Sequence, residues 1–342
     1  MGLGMRGIGG NPASPPFTHG PYIMSEHVIF SSIACGGTEG DVWFVDGTNG
    51  ASGNDGKSWA KAFDTIQAAV TAAGPGDVIY ITAKDLTDFT GDPTSYAETV
   101  IIPAATSNLS LIGVSRGRTQ GGLPQIKIGA GSTALLTVRA PGCLIANLGF
   151  NGVDSTGGGI LLDDDYSAKA AFGTTIVNCH FKNCKGHATD GTKGGAIAWS
   201  AAGNAWQVRI SNCQFYRNLC DICVIGTSST VPQDVVIEDC IFSADAAICD
   251  VNIYSGGSGF GGGLIINRCV FPKQPNYTSG SVKRFTDITC YGTGGTGILS
   301  NCVFGAAGTT TGYGDGKASA KIGTTIELCN NNSNAGLIVR EA

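Results

Sequence analysis

The sequence predicts an all-β fold, a single-stranded parallel β-helix solenoid, and three observations carry the prediction. One motif, aliphatic–any–Asn–Cys–any–Phe, recurs at intervals of roughly thirty residues: IVNCHF from residue 176, ISNCQF from 210, IEDCIF from 237, INRCVF from 266 and LSNCVF from 299. IANLGF from 145 is an earlier copy with Leu for Cys, and IELCNN from 326 a late one without the Phe. Each copy adjoins a short strand run such as WQVRI, DVVIE or GLIIN, and none shows helical periodicity. Gly is 53 of 342 residues and only 14% are charged, as tight turns between short buried strands require.

Residues 1–40 are expected to form an extended arm outside the solenoid. Pro12, Pro15, Pro16 and Pro21 forbid a continuous helix, and the glycines remove local stiffness. Phe17, Tyr22, Ile23, Val28, Ile29, Phe30 and Ile33 alternate too poorly for a coil and are too many to leave in water, so they read as partner-docking groups. HVIFSSIA (27–34) suits addition to a neighbour's sheet edge, and Cys35 suits an intermolecular disulfide.

The solenoid is expected over residues 41–342, with a capping helix at about 62–73 and coils over about 77–335. The helix would place Phe63, Ile66 and Val70 on one face, and Gly74-Pro75 would stop it. A solenoid end exposes core and unpaired strand groups, so a cap is needed there. WFVDGTNG, GNDGKSWAKAF, TIQAAVTAA and PGDVIYI, in that order over 43–81, resemble the opening of right-handed parallel β-helix proteins of the pectate-lyase-like superfamily. ETVIIP, LSLIGVS and PQIKIG continue the likeness, which spans roughly residues 41–340. The resemblance implies right-handed coiling. It implies no single activity, because the superfamily holds lyases, hydrolases, phage tailspikes and inert virion proteins alike.

Within a coil, Val208 and Ile210 face inward, and plain alternation would send Cys213 outward. Cys213 and Phe215 read as inward instead, so the phase slips at Asn212. One residue in the left-handed backbone region produces such a slip, and Asn or Asp tolerates it best. Asn147, Asn178, Asn212, Asp239 and Asn301 fill this place, with Arg268 and Leu328 as exceptions. The stacked side chains are expected to be buried and bonded up the column. Cys179, Cys213, Cys240, Cys269 and Cys302 are expected as reduced core residues, because rungs about 4.8 Å apart suit a disulfide poorly. Phe150, Phe181, Phe215, Phe242, Phe271 and Phe304 read as a stacked core column rather than a sugar platform. Cys184, Cys220, Cys223 and Cys249 are left for local or interchain pairing.

A third strand per coil is read in CDICVIG (220–226), CDVNIYSG (249–256) and FTDITCYG (285–292), with Ile222/Val224, Val251/Ile253 and Ile288/Cys290 inward. GGILLDD (158–164) and GGAIAW (194–199) join the same column. Asp221, Asp250 and Asp287 would then face solvent, stacked about 5 Å apart, and are the catalytic residues if the chain is an enzyme. Asp163, Asp164 and Asp165 form a second acidic run, a weak candidate for structural Ca²⁺, the only cofactor considered. No Lys or Arg matches the acidic column, and Gly186-His187-Ala188 only echoes the Gly-His-Gly of family hydrolases. His180, His187 and Cys184 lack a second pair at zinc-site spacing. Trp199, Trp206, Tyr216, Tyr254 and Tyr291 are the aromatics considered for a surface glycan.

A net charge of -5 without a basic cluster argues against nucleic acid. No apolar run reaches membrane-spanning length, and no apolar leader segment is visible. The expectation is a non-enzymatic structural protein of a phage virion, a capsid-decorating or minor capsid, spike or fibre protein made in the host cytoplasm. Its arm would dock on other virion proteins, and a homo-oligomer, a trimer by preference, is expected. The alternative is a polysaccharide-degrading β-helix enzyme, a lyase or glycoside hydrolase acting as a capsule depolymerase.

Overall fold

The computed structural model describes residues 40–84, 95–114, 122–127, 134–152, 158–163, 171–184, 195–200, 205–224, 231–243, 251–255, 259–272, 284–288, 296–304, 320–322 and 326–333. The expected arm, with Phe17, Tyr22, Ile23, Val28, Ile29, Phe30 and Cys35, lies outside them, as do Asp164, Asp165, Cys249, Asp250 and Cys290.

The chain is a parallel β-helix. Three faces recur coil after coil. Among the described residues sheet A has ten strands, from Val42–Val45 and Val78–Thr82 through Arg209–Ser211 and Val236–Glu238 to Leu264–Asn267, Gly297–Ser300 and Ile326–Cys329. Sheet B takes Gln125–Lys127, Gly149–Asn151, His180–Lys182 and Gln214–Tyr216, then runs on through bridges at Ile241 to Val270–Phe271, Val303–Phe304 and Asn332–Ser333. Sheet C has eight strands among the described residues, from Val100–Ile102 to Ala320–Ile322, and includes Ile160–Leu162, Ile197–Trp199, Cys220–Val224, Val251–Tyr254 and Arg284–Ile288. Neighbouring strands pair in parallel, Ile176 with Ile210 and Ile210 with Ile237, for example. Isoleucine therefore stacks on isoleucine, and one continuous core runs along the axis.

Near the first strand the helix spans Ile66–Ala72, shorter than the sequence suggests, and buries Ile66, Ala69 and Val70. Phe63 packs with them in the core, but from a bridge to Val45 rather than from the helix. Thr65 caps it by accepting from Ala68 N. The Glu98 carboxylate, from the next coil, accepts from Ile66 N and Gln67 N at 2.8 Å each. Two otherwise orphaned donors are thereby satisfied. Burial pushes the Glu98 pKa up.

Between sheets A and B the chain turns on a single left-handed residue: Asn147 (φ 57°), Asn178 (59°), Asn212 (54°), Asp239 (55°), Arg268 (52°) and Asn301 (53°). Asn178 Nδ2 donates to Asn147 Oδ1, and Asn212 Nδ2 to Asn178 Oδ1 at 3.3 Å. These side chains are not buried, contrary to expectation. The column forms a solvent-facing corner. That exposure explains why Arg268 is accommodated: its guanidinium lies over Asp239, donating from Nε to Oδ1 at 2.8 Å and from Nη2 to Oδ2 at 2.7 Å. In the last copy Cys329 pairs with Ser300, so the left-handed place falls on Asn330 (φ 49°), not on Leu328.

The corner also accounts for cysteine. Each thiol sits just past the bend and donates to the carbonyl two residues back: Cys179 to Val177 O at 3.4 Å, Cys213 to Ser211 O at 3.3 Å and Cys240 to Glu238 O at 3.2 Å. Cys269 and Cys302 repeat the contact at 3.4 and 3.2 Å. The place calls for a small apolar residue with a weak donor, and Cys supplies both. The column ends where Asn331 replaces sulfur, accepting from Cys302 N and donating to Leu299 O, both at 2.9 Å. All ten described cysteines, including Cys184, Cys220 and Cys223, are free thiols, and only Cys329 among them is exposed. Burial raises the Cys213 pKa, and the thiol of the preceding coil, together with burial, raises those of Cys240, Cys269 and Cys302. Alkylation with iodoacetamide at pH 8, read by peptide mass, should mark Cys329 in the native protein and reach the five column cysteines only after denaturation. Native labelling of Cys240 would contradict this packing.

The Phe side chains stack directly beneath. From Phe150 through Phe181, Phe215, Phe242 and Phe271 to Phe304, ring centroids lie 4.9, 5.2, 5.2, 4.6 and 4.7 Å apart, tilted by 12° or less.

Candidate functional site

Sheet C places Asp221 and Asp287 on different rungs. Cys220 pairs with Val251 and Ile222 with Ile253, which puts Asp221 on the rung of Asn252. Asp287 pairs with Tyr254 and Lys321, so its backbone lies on a different rung from Asp221. Thr286, rather than Ile288, follows Ile253. Val251 is only partly buried and packs with Cys220 and Cys223. The offset arises because strand register follows loop lengths, which slide one coil against the next without changing the alternation inside either.

Asp221 is itself fully buried, not solvent-facing. Its carboxylate accepts from Asn218 Nδ2 (2.9 Å), Asn252 Nδ2 (2.8 Å), Ser243 N (3.0 Å) and Ser243 Oγ (2.7 Å). Asn218 in turn accepts from Cys184 N at 2.9 Å and donates to Phe181 O at 3.3 Å. The network ties adjacent coils together at the corner between sheets B and C. Burial pushes the Asp221 pKa up to about 6 despite the four donors. A carboxylate out of solvent with its lone pairs occupied is poorly placed to take a proton from a substrate.

The other sequence candidates are spread over the coils. Asp163 is buried and accepts from Arg139 Nε at 2.8 Å, an ion pair between neighbouring coils. Among the described residues no three His, Cys, Asp or Glu converge as metal ligands would. His180 is half-buried on the outer side of sheet B; burial, then the nearby Lys182 charge, lowers its pKa to about 4, so it is neutral at pH 7. Burial pushes the Cys184 thiol up to about 12. Trp199 is fully buried, not a surface platform, and donates from Nε1 to Ala205 O at 2.9 Å. Tyr216 is exposed; Tyr291 lies outside the described residues.

Sequence reasoning missed the outer surface around the turn column. On sheet A, Val236, Ile265 and Ile298 follow one another in register and point outward. On sheet B, Ile241, Val270 and Val303 do the same. Ile241, Ile265, Ile298 and Val303 are 44%, 40%, 40% and 46% exposed. Arg209 and Glu327 bound the first stripe, and Gln214 precedes the second. Between them, Glu238 accepts from both Arg209 and Arg268, and Arg268 also holds Asp239. The signal was present in the motif, since INRCVF and LSNCVF carry Val at the outward place where ISNCQF carries Gln.

The strand register thus defines a parallel β-helix protein with buried sulfur and ring columns and an apolar-flanked outer corner. No family model and no curated protein matches the sequence. Solved structures to which the chain is similar include pectate lyase Pel9A, with 13% identity, 87% of this chain and 79% of that one covered, and a TM-score of 0.47. The A-module of the Azotobacter vinelandii mannuronan C-5 epimerase AlgE4 gives 13% identity, 78% and 71% coverage, and a TM-score of 0.42. ORF18 of Geobacillus virus E2 gives 11% identity, 92% and 65% coverage, and a TM-score of 0.41.

Proposed function

We propose that the chain is a non-enzymatic structural protein of a phage virion, a capsid-decorating, spike or fibre protein that docks through residues 1–40. The observation that carries the reading is the state of Asp221: the leading acid candidate is a buried structural hub, and Asp287 does not share its rung. A glycan-cleaving site needs two reachable carboxylates at a set distance. Exposed aliphatic rows on the outer corner favour protein contact over sugar contact. The arm's prolines and apolar residues suit an extended segment laid on a partner.

Deleting residues 1–40 tests the proposal. The truncated protein should remain a soluble β-helix by far-UV circular dichroism and fail to enter its particle. Normal incorporation would overturn the docking role. Release of reducing sugar from bacterial polysaccharide by the purified full chain would overturn the non-enzymatic reading.

A further inference from the structure

We infer that the outer corner between sheets A and B is an interface between copies of this chain, in which the sheet A stripe of one copy packs on the sheet B stripe of the next. The two stripes face outward from adjacent sides of one corner, at the same three coils: Val236 with Ile241, Ile265 with Val270, Ile298 with Val303. Each has the rung spacing of the sheet, roughly 4.8 Å, so the two stripes meet rung for rung. The first stripe stops at Arg209 and Glu327, and the second begins at Gln214. The two patches therefore match in period and polarity over these three coils.

Charge permits the approach. Arg209 and Arg268 are neutralised by Glu238 and Asp239 within the same corner, so identical corners meet without net repulsion. Geometry favours a ring. A copy rotated about an axis parallel to the solenoid brings its sheet B stripe onto the sheet A stripe at equal height, and such head-to-tail contacts close into a ring when the rotation divides a full turn. An extended peptide is a poorer occupant: the stripes lie on sheet faces, where no free strand edge offers main-chain bonds.

The test uses the full chain, with Ile265→Asp disabling one stripe and Ile241→Asp the other. Light scattering after size exclusion should show an oligomer for the unaltered protein and single chains for each variant. Circular dichroism and the thermal midpoint should stay unchanged, because both side chains are exposed. If either Asp variant loses its fold, Ile265→Ser and Ile241→Ser replace them. Mixing the two variants in equal amounts should restore a species of two chains, since the intact sheet B stripe of one meets the intact sheet A stripe of the other. A monomer at every soluble concentration would overturn the inference. So would an oligomer lost on changing only one stripe, which indicates a self-paired face. An oligomer indifferent to both changes but lost on deleting residues 1–40 would assign assembly to the arm instead.

Discussion

Replacing Asp221 with Ala should lower stability by about 2–4 kcal/mol, read as a shifted urea midpoint at unchanged slope. The substitution removes the shared acceptor of Asn218, Ser243 and Asn252 in a site without solvent. Asn218 keeps its bond to Phe181 O and Asn252 its bond to Ser243 O, and the Ser243 hydroxyl can turn. The Ser243 amide cannot, and a cavity opens beside it. Because the network joins adjacent coils, faster amide exchange should appear at Cys184 and Ser243 before the rest of the core. A midpoint within error of the parent would show that the network carries no net stability.

The pH dependence has a definite sign. The folded pKa of Asp221 is about 6, above the ordinary 3.8, so between those values the folded state holds a proton that the unfolded state has released. Stability contributed at this site therefore falls as pH rises from about 4 to about 6, by at most about 1.4 kcal/mol per pH unit. Asp221→Asn removes the titration. The stability difference between parent and variant should shift against the parent across that window and stay flat above it.

What could be read from the residues was whatever repeats on the scale of one coil. Asn212 and its counterparts are legible because only a few residue types accept a left-handed backbone, and the Cys and Phe places follow from the phase slip that this conformation forces. Asp221 was misread because alternation says which way a side chain leaves its own strand, not what covers it. Asn218 and Ser243, outside that strand, provide the cover. Asp287 was misread because register between coils depends on intervening loop length. A second left-handed column, at Gly142, Gly173, Gln207, Asp234 and Gly263, precedes sheet A and went unseen. Its residue types vary, and no Cys or Phe recurs beside it from coil to coil. Glycine recurs there because the backbone is left-handed, with φ 72° at Gly142, 66° at Gly173 and 77° at Gly263.

The ring column should give the largest loss of all. Phe215→Ala is expected to cost about 3–5 kcal/mol, since it deletes a nearly buried ring held between Phe181 and Phe242, each 5.2 Å away. The solenoid cannot collapse around the hole. Cys213 above is fixed by its bend, and the neighbouring coils are held at one strand spacing by ladders of main-chain bonds, such as Gln214 N to Cys179 O at 2.9 Å and Ile241 N to Cys213 O at 3.0 Å. The adjacent residue supplies the control. Tyr216 leaves the same strand on the opposite face, 45% exposed, and Tyr216→Ala should change stability by no more than about 0.5 kcal/mol. Phe215→Leu should fall between, at roughly 1–2 kcal/mol, because it refills most of the volume but breaks two ring stacks. Equal losses for Phe215→Ala and Tyr216→Ala would mean that this strand does not face the core as placed. Equal losses for Phe215→Ala and Phe215→Leu would mean that ring stacking, rather than buried volume, holds the column together.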